Sequence, residues 1–323
     1  MALTEFELIR RFFTHPARNA VLGVGDDAAL VRVRRGMDLA VSADMLVAGR
    51  HFFPDADPGK LGHKALAVNL SDMAAMGAAP RWVTLALALP RADTRWLAAF
   101  VHGFMRLARS HRVDLVGGDT TKGPLAICVQ ILGEVPSGTA LRRDGARVGD
   151  DVWVSGMLGN AALALASING RVRLARRDRA LLETRLNTPI PRVALGMALR
   201  GIARSAIDIS DGIIADLGHI CERSGVAAVV ELARVPRSPA MERCLPRPAA
   251  LAALLTGGDD YELCFTASPE HRAAMAPLSR RHRIKLTRIG GIVRPRGSNP
   301  LVTVVGRDDE RVTLRQRGFQ HFT

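Results

Sequence analysis

The stretch Lys64–Pro90, KALAVNLSDMAAMGAAPRWVTLALALP, decides how the rest of the chain is read. Its first part has apolar residues at helical spacing and belongs to a helix predicted from about Pro58 to Gly77. Gly77 and Pro80 stop that helix. RWVTLALAL follows as an apolar strand ending at Pro90. Within the helix, Asp72 falls at the centre of an apolar sector made by Leu61, Ala65, Val68, Ala75 and Met76, with Lys64 off to one side. A buried carboxylate without a partner costs several kcal/mol or shifts until it is neutral. Asp72 therefore needs a buried arginine, a hydrogen-bonding network or a metal.

Outward from this stretch the alternation of α and β continues. Residues 3–14 place Leu3, Phe6, Ile9, Phe12 and Phe13 at the spacing of a short amphipathic helix. AALVRVR and LAVSAD read as strands around the turn RGMD. TRWLAAFVHGFMRLARSH reads as a long helix, and VDLVGGD and LAICVQILGEV as strands flanking a Gly/Thr loop. Near residue 137 the texture changes: PSGTALRRDGARVGDD reads as a linker. Beyond it come the strand DVWVSG, the helix NAALALASI, the strand-to-helix segment SAIDISDGIIADLGHI and the Gly-rich turn and strand TGGDDYELCFTA. A chain of 323 residues suits two domains, placed at 1–137 and 138–323.

The chain is 48% hydrophobic and 24% charged, the balance of a soluble globular protein. The N-terminal MALTEFELIR carries acids and lacks the basic and apolar regions of a secretory signal. No apolar run approaches the roughly 18 residues of a membrane span, so no membrane association is expected. Cys128, Cys221, Cys244 and Cys264 are scattered without a C-x-x-C, which suits a reducing cytoplasm. The net charge is +14, mostly arginine, and twelve arginines face five acids over residues 141–204. Such a surface either attracts nucleic acid or phosphorylated small molecules or, as the favoured reading, is arginine decorating solvated faces. No basic motif interleaved with aromatics is present, which argues against nucleic acid.

Acids recur at strand ends, helix starts and apolar faces. Ser42 and Asp44 point the same way from a strand. VGGDTTKG places Asp119 in a glycine-rich loop after an apolar strand. Asp208 and Ser210 share a face, and Asp211 opens a helix whose dipole tolerates negative charge. Asp26 and Asp27 stand side by side in VGDDAAL. With Asp72, this recurrence points to hard cations held by oxygen, favouring Mg²⁺ over Zn²⁺. Mg²⁺ on carboxylates normally shares its shell with phosphate. Gly23, Gly25, Gly117 and Gly118 would let backbone N–H groups approach phosphate oxygens. There is no P-loop and no H-R-D or D-F-G kinase set.

The segments GVGDDAAL, VSADMLVAGRHF, KALAVNLSDMAAMGAAPRWVTLALALP, LVGGDTTKGPLAI, LRRDGARVGDDVWVSG, SAIDISDGIIADLGHI, GGDDYELCFT and GFQHF resemble the thiamine-monophosphate kinase family nearly end to end. The resemblance implies a two-domain fold of α/β plus α+β type, like that of aminoimidazole ribonucleotide synthetase and selenophosphate synthetase. The N-terminal α/β domain would bind ATP and Mg²⁺ and form an intersubunit β-barrel in a homodimer. The C-terminal domain would be α+β. The implied reaction is direct in-line transfer of the ATP γ-phosphate to thiamine monophosphate, with no catalytic base. The implied metal residues are Asp27, Ser42, Ala43, Asp44, Asp72, Asp119, Asp208 and Asp211, with Asp26 in support. Gly118, Asp119, Arg143 and Ser210 would contact ATP, and His51, Asp259 and Phe319 thiamine monophosphate. Two positions depart from the pattern: Asp259 where glutamate is common, and Lys122 where arginine is common. Other ATP-using members of the fold, of cyclo-ligase or selenophosphate synthetase type, and a basic nucleic-acid-binding protein are the alternatives. The first cysteine, Cys128, disfavours a selenophosphate synthetase, which would carry a reactive residue near the N-terminus.

Overall fold

The computed structural model describes residues 4–297, 300–306, 308, 310–313 and 318. The chain divides into two units, one of residues 1–73 with 78–138 and one of residues 74–77 with 139–323.

In the first unit, helix α1 (Glu5–Leu8) runs into a π-helical turn over Ile9–Phe13. The Thr14 N–H closes that turn on the Ile9 carbonyl, which brings Phe12 and Phe13 together on the buried side. The N-terminal segment was expected to be a plain amphipathic α-helix; its adjacent phenylalanines are both buried by the wider turn. Strands β1 (Ala20–Leu22) and β2 (Leu30–Val31) form a small antiparallel pair. Strand β3 (Met37–Val47), helix α2 (Pro58–Ala75), strand β4 (Ala79–Leu89), helix α3 (Thr94–His111) and strands β5 (Asp114–Lys122) and β6 (Ala126–Pro136) complete the unit. The four long strands lie in the order β3-β6-β4-β5, with β4 and β5 parallel and the other neighbours antiparallel.

Sequence chemistry sets the ends of these elements. The Asp93 carboxylate accepts the N–H groups of Arg95 and Trp96 and starts α3. Arg112, at φ 56°, ends it. Helix α2 is buried almost all round: Leu66, Ala67 and Leu70 are inaccessible, and Asn69 and Ser71 with them. On a helix with no wet face, the apolar sector drawn around Asp72 does not separate inside from outside.

Strand β5 is the larger difference from expectation. Most of the segment read as a Gly/Thr loop, including Asp119, is strand, paired residue by residue with β4 from Gly117↔Thr84 to Lys122↔Leu89; only residues 123–125 turn into β6. A bulge between Val83 and Thr84 lets the register through. A Cβ on Gly118, whose φ is +153°, would lie 1.9 Å from the Leu85 carbonyl oxygen. Glycine is needed there for close strand approach, and the same residue read in isolation looks like a turn.

The second unit follows as β7 (Asp151–Ser155), α4 (Asn160–Ile168), α5 (Arg176–Asn187), α6 (Val193–Ala198), β8 (Ser205–Asp208), α7 (Ile213–Ser224), β9 (Ala227–Glu231), α8 (Pro239–Cys244), α9 (Pro248–Leu255), β10 (Leu263–Ala267), α10 (Arg272–His282), β11 (Leu286–Val293) and β12 (Val302–Val305). Six strands lie in the order β12-β9-β11-β7-β10-β8; only β12 and β9 pair in parallel. Val152, Val154, Ile207, Cys264 and Ile289 face a core completed by Ile213, Leu217 and Ile220 of α7. The segment 139–150, read as a linker, is packed: Leu141 and Ala146 are buried, and the Arg142 carbonyl accepts the Ala206 N–H at the start of β8. All four cysteines are free thiols. Among the described residues no helix is long and apolar enough to cross a membrane.

Candidate active site

In the first unit the alternation of β3 sorts its residues. Ala40, Ser42, Asp44 and Leu46 turn inward, while Leu39, Val41, Ala43 and Met45 are exposed. The inward face meets Asp72 of α2: the Ser42 hydroxyl donates to Asp72 Oδ2 at 2.5 Å. Burial, and then the charge of Asp72, pushes the Asp44 carboxyl up to about 7. Ser42, Asp44 and Asp72 are thus brought together; strand alternation anticipated the shared face of Ser42 and Asp44. Ala43 sits on the opposite face, so only its backbone is available to the site.

The other first-unit candidates stand in the open. Asp26 and Asp27 are exposed, and the Asp27 N–H donates to Asp26 Oδ1 at 3.0 Å. Water screens their repulsion, so burial does not by itself demand a cation there. Asp119 is exposed on β5 beside Gly118. Gly117, Gly118, Asp119 and Thr120 border a small pocket whose other walls include Ile9, Phe13, Leu85 and Leu115. His51 folds back on its own turn, with Nδ1 accepting the Val47 N–H at 3.0 Å.

In the second unit, Asp208 is buried at the end of β8, and Ser210 and Asp211 are half-buried just after it. A residue the sequence reading passed over shapes this corner. Asp216 is buried on the first turn of α7, and its Oδ2 accepts the N–H groups of Ser210, Asp211 and Gly212 at 3.1, 3.1 and 3.0 Å. Burial, then the charges of Asp208 and Asp211, pushes its carboxyl well above the usual range. The signal was the acid five residues after Asp211, within capping reach of the turn before the helix.

The GGDDYE turn lies against the same corner. The Asp259 N–H donates to the Ser210 carbonyl at 2.9 Å, and the Tyr261 N–H to the Ile209 carbonyl at 2.8 Å. A Cβ on Gly258 would lie 2.0 Å from the Ser210 carbonyl oxygen, so only glycine lets the two segments approach. The Tyr261 hydroxyl donates to Asp259 Oδ1 at 3.0 Å. Asp260 accepts the Gly159 N–H at 2.6 Å, and burial raises its carboxyl well above the usual range. Glu262, given no role from sequence, is a buried partner of Arg192. Nothing local in the sequence connects residues seventy positions apart.

Arg143 is exposed, its carbonyl accepting from the Ser224 hydroxyl at 2.8 Å. Phe319 lies outside the described residues. Among the described residues no group of three or more Asp, Glu, His or Cys side chains is gathered closely enough to hold a metal ion. What the structure does bring together is an acid pair with a hydroxyl in the first unit, and an acid-rich corner with a strained turn in the second.

Comparison with known proteins gives this arrangement its setting. Residues 25–135 match the AIR synthase related protein, N-terminal domain, and residues 147–301 the AIR synthase related protein, C-terminal domain. The chain is 44% identical over 326 residues to thiamine-monophosphate kinase of Escherichia coli K12, covering all of this chain and 99% of that one. The crystal structure of thiamine-monophosphate kinase from Stenotrophomonas maltophilia K279a is 48% identical, covers 91% of this chain and 92% of that chain, and superposes with a TM-score of 0.83. AaThiL complexed with AMPPCP and TMP is 30% identical, with 93% and 92% covered and a TM-score of 0.77. With its two-unit fold and full-length identity of this order, the chain belongs to the thiamine-monophosphate kinase family.

Proposed function

We propose that this chain transfers the γ-phosphate of ATP to thiamine monophosphate, giving thiamine diphosphate and ADP. The observation that carries the reading is the Asp44–Asp72 pair, two carboxylates held together beside Ser42 in a chain whose full-length relatives are thiamine-monophosphate kinases. A relative of the same fold binds AMPPCP and TMP in one complex, which supports the choice of both substrates.

The donor set fits Mg²⁺. Its members are carboxylates and a hydroxyl, all hard oxygen ligands. The raised Asp44 carboxyl marks a site where a divalent cation would relieve like-charge repulsion. In the first unit Asp27, Ser42, the backbone of Ala43, Asp44, Asp72 and Asp119 are the residues assigned to hold it; in the second unit, taken by itself, Asp208 and Asp211 are assigned as metal ligands. When bound, Mg²⁺ supplies charge neutralisation for the polyphosphate.

The chain's own groups do the rest. Gly118, on the exposed part of β5 next to Asp119, is assigned to the nucleotide through its backbone. Ser210 and Arg143 are assigned to the nucleotide, with Arg143 supplying positive charge. His51 is assigned to the acceptor phosphate. Asp259 and Phe319 are assigned to the thiamine cation, which a carboxylate and an aromatic face both suit. In the transfer, an anionic oxygen of the acceptor phosphate bonds to the γ-phosphorus. The bond from that phosphorus to the β–γ bridging oxygen breaks, and ADP leaves with the electron pair. A phosphate monoester with its second pKa near ~6 is already largely deprotonated at neutral pH, so no side chain need take a proton. Positioning and charge are what the protein contributes.

The reading includes a homodimer built on the first-unit sheet and a cytoplasmic setting, the latter supported by the four free thiols. The test is an assay with ATP, Mg²⁺ and thiamine monophosphate that scores thiamine diphosphate and ADP together. Equal formation of both is expected. Asp72→Asn should lower turnover by at least about a hundredfold with an unchanged circular dichroism spectrum. ADP without thiamine diphosphate, or an Asp72→Asn variant of near-normal turnover, would overturn the proposal.

A further inference from the structure

Asp259 and Tyr261 sit at φ +67° and +50°. Aspartate tolerates this left-handed region; a bulky aromatic residue enters it only when its surroundings force it there. Backbone held in such a region persists where neighbouring structure over-determines it, and such places concentrate at ligand clamps.

The surroundings of this turn are over-determined from both sides. Above, its backbone is tied to Ile209 and Ser210 by the bonds already given, and the Ile209 N–H returns one to the Glu262 carbonyl at 2.8 Å. Below, Glu262 is 6% exposed and receives the fork of Arg192, with Nε to Oε2 at 2.7 Å and Nη2 to Oε1. The Ser155 hydroxyl donates to Glu262 Oε2 at 2.5 Å and accepts the Leu263 N–H at 2.9 Å. Asp260 is committed to the Gly159 N–H. Of the three acids in DDYE, two anchor the turn. The third, Asp259, is the one to which the Tyr261 hydroxyl donates.

We propose that Tyr261 is a specificity-determining positioning residue that orients the Asp259 carboxylate toward the thiamine cation. The buried Arg192–Glu262–Ser155 network is the device that keeps both residues in the left-handed turn. The proposal rests on the reading of Asp259 as a thiamine monophosphate contact. A short carboxylate on a fixed backbone has few rotamers, and a phenol donating to one oxygen selects among them before the ligand arrives. Deleting the hydroxyl leaves the ring, the packing and the turn in place, so it separates orientation from folding.

Tyr261 is the chain's one tyrosine, so full-length protein labelled with 3-fluorotyrosine gives one ¹⁹F resonance for this residue. Titration with thiamine monophosphate should move that line saturably, and AMPPCP alone should leave it in place. Tyr261→Phe should raise KM for thiamine monophosphate about tenfold while KM for ATP stays within about twofold and the melting temperature holds. Arg192→Lys keeps the charge but loses the fork; it should shift the ¹⁹F line of the free protein and raise the same KM. A Tyr261→Phe variant with unchanged KM for thiamine monophosphate, an equal rise in both KM values, or a line that answers only to AMPPCP would overturn the inference. Calorimetry keeps the two readings apart. Wild-type protein that binds thiamine monophosphate, with affinity unchanged in Tyr261→Phe, refutes this inference alone. Wild-type protein that does not bind it removes the functional reading and this one with it.

Discussion

At the Asp44 carboxylate, burial and the charge of Asp72 act in the same direction, raising it from 3.8 to about 7. An acid raised in the folded state holds its proton more tightly folded than unfolded. Between pH 3.8 and about 7 the native state therefore binds more protons, and stability falls as pH rises through that window. Above it the full penalty stands, at most about 4 kcal/mol from a shift of this size. In chelator-treated protein Asp44→Asn should melt several degrees above wild type at pH 8, and the gap should close as the pH falls toward 4. Adding Mg²⁺ at pH 8 should raise the wild-type midpoint more than that of the variant. Thermal melts across pH check both, and a variant no more stable than wild type at pH 8 would show that the pair carries no such penalty.

Helix α7 begins at a corner whose backbone donors converge on one buried oxygen. The three N–H groups on Asp216 Oδ2 precede the helix, where no intrahelical acceptor exists for them. Asp216→Ala would leave them without that acceptor, at a cost of about 2–3 kcal/mol or more. Asp216→Asn retains an accepting oxygen and should cost clearly less. Urea unfolding midpoints order the two; equal losses would mean that the carboxylate's charge, and not its hydrogen bonds, holds the corner. At this scale the sequence was legible where local chemistry sets the element. The helix read from TRWLAAFVHGFMRLARSH is the observed α3, because Asp93 and a regular apolar stripe define it. It was illegible where a distant strand decides. Gly117–Lys122 is strand because β4 pairs with it, and Leu141 is buried where its N–H reaches the Met76 carbonyl, distant in sequence. The Arg192–Glu262 pair was hidden for the same reason, whereas the shared face of Ser42 and Asp44 could be found from strand alternation.

Over the whole molecule, the arginine-rich segment and the exposed apolar strand face belong to different units. The twelve arginines of residues 141–204 belong to the second unit, and several are paired, as Arg192 is with Glu262 and Arg204 with Asp150. The first unit instead leaves part of its sheet uncovered. Strand β3 is an edge strand, and Leu39, Val41 and Met45 on its outward face are 40%, 53% and 59% exposed. Exposed apolar faces and unpaired edges invite a partner, and a second copy of the same strand is self-complementary in a twofold interface. The proposed homodimer would cover this face, while the inward face of the same strand keeps Ser42 and Asp44 on Asp72. Alternation along β3 thus separates association from chemistry. Sedimentation equilibrium at micromolar concentration should give twice the chain mass for wild type. The double variant Val41→Glu with Met45→Glu should give the mass of one chain, because each carboxylate would be buried without a partner. Its circular dichroism should be retained, since both side chains face water in the single chain. A wild-type protein that sediments as one chain, or a double variant that still pairs, would place the interface elsewhere or remove it.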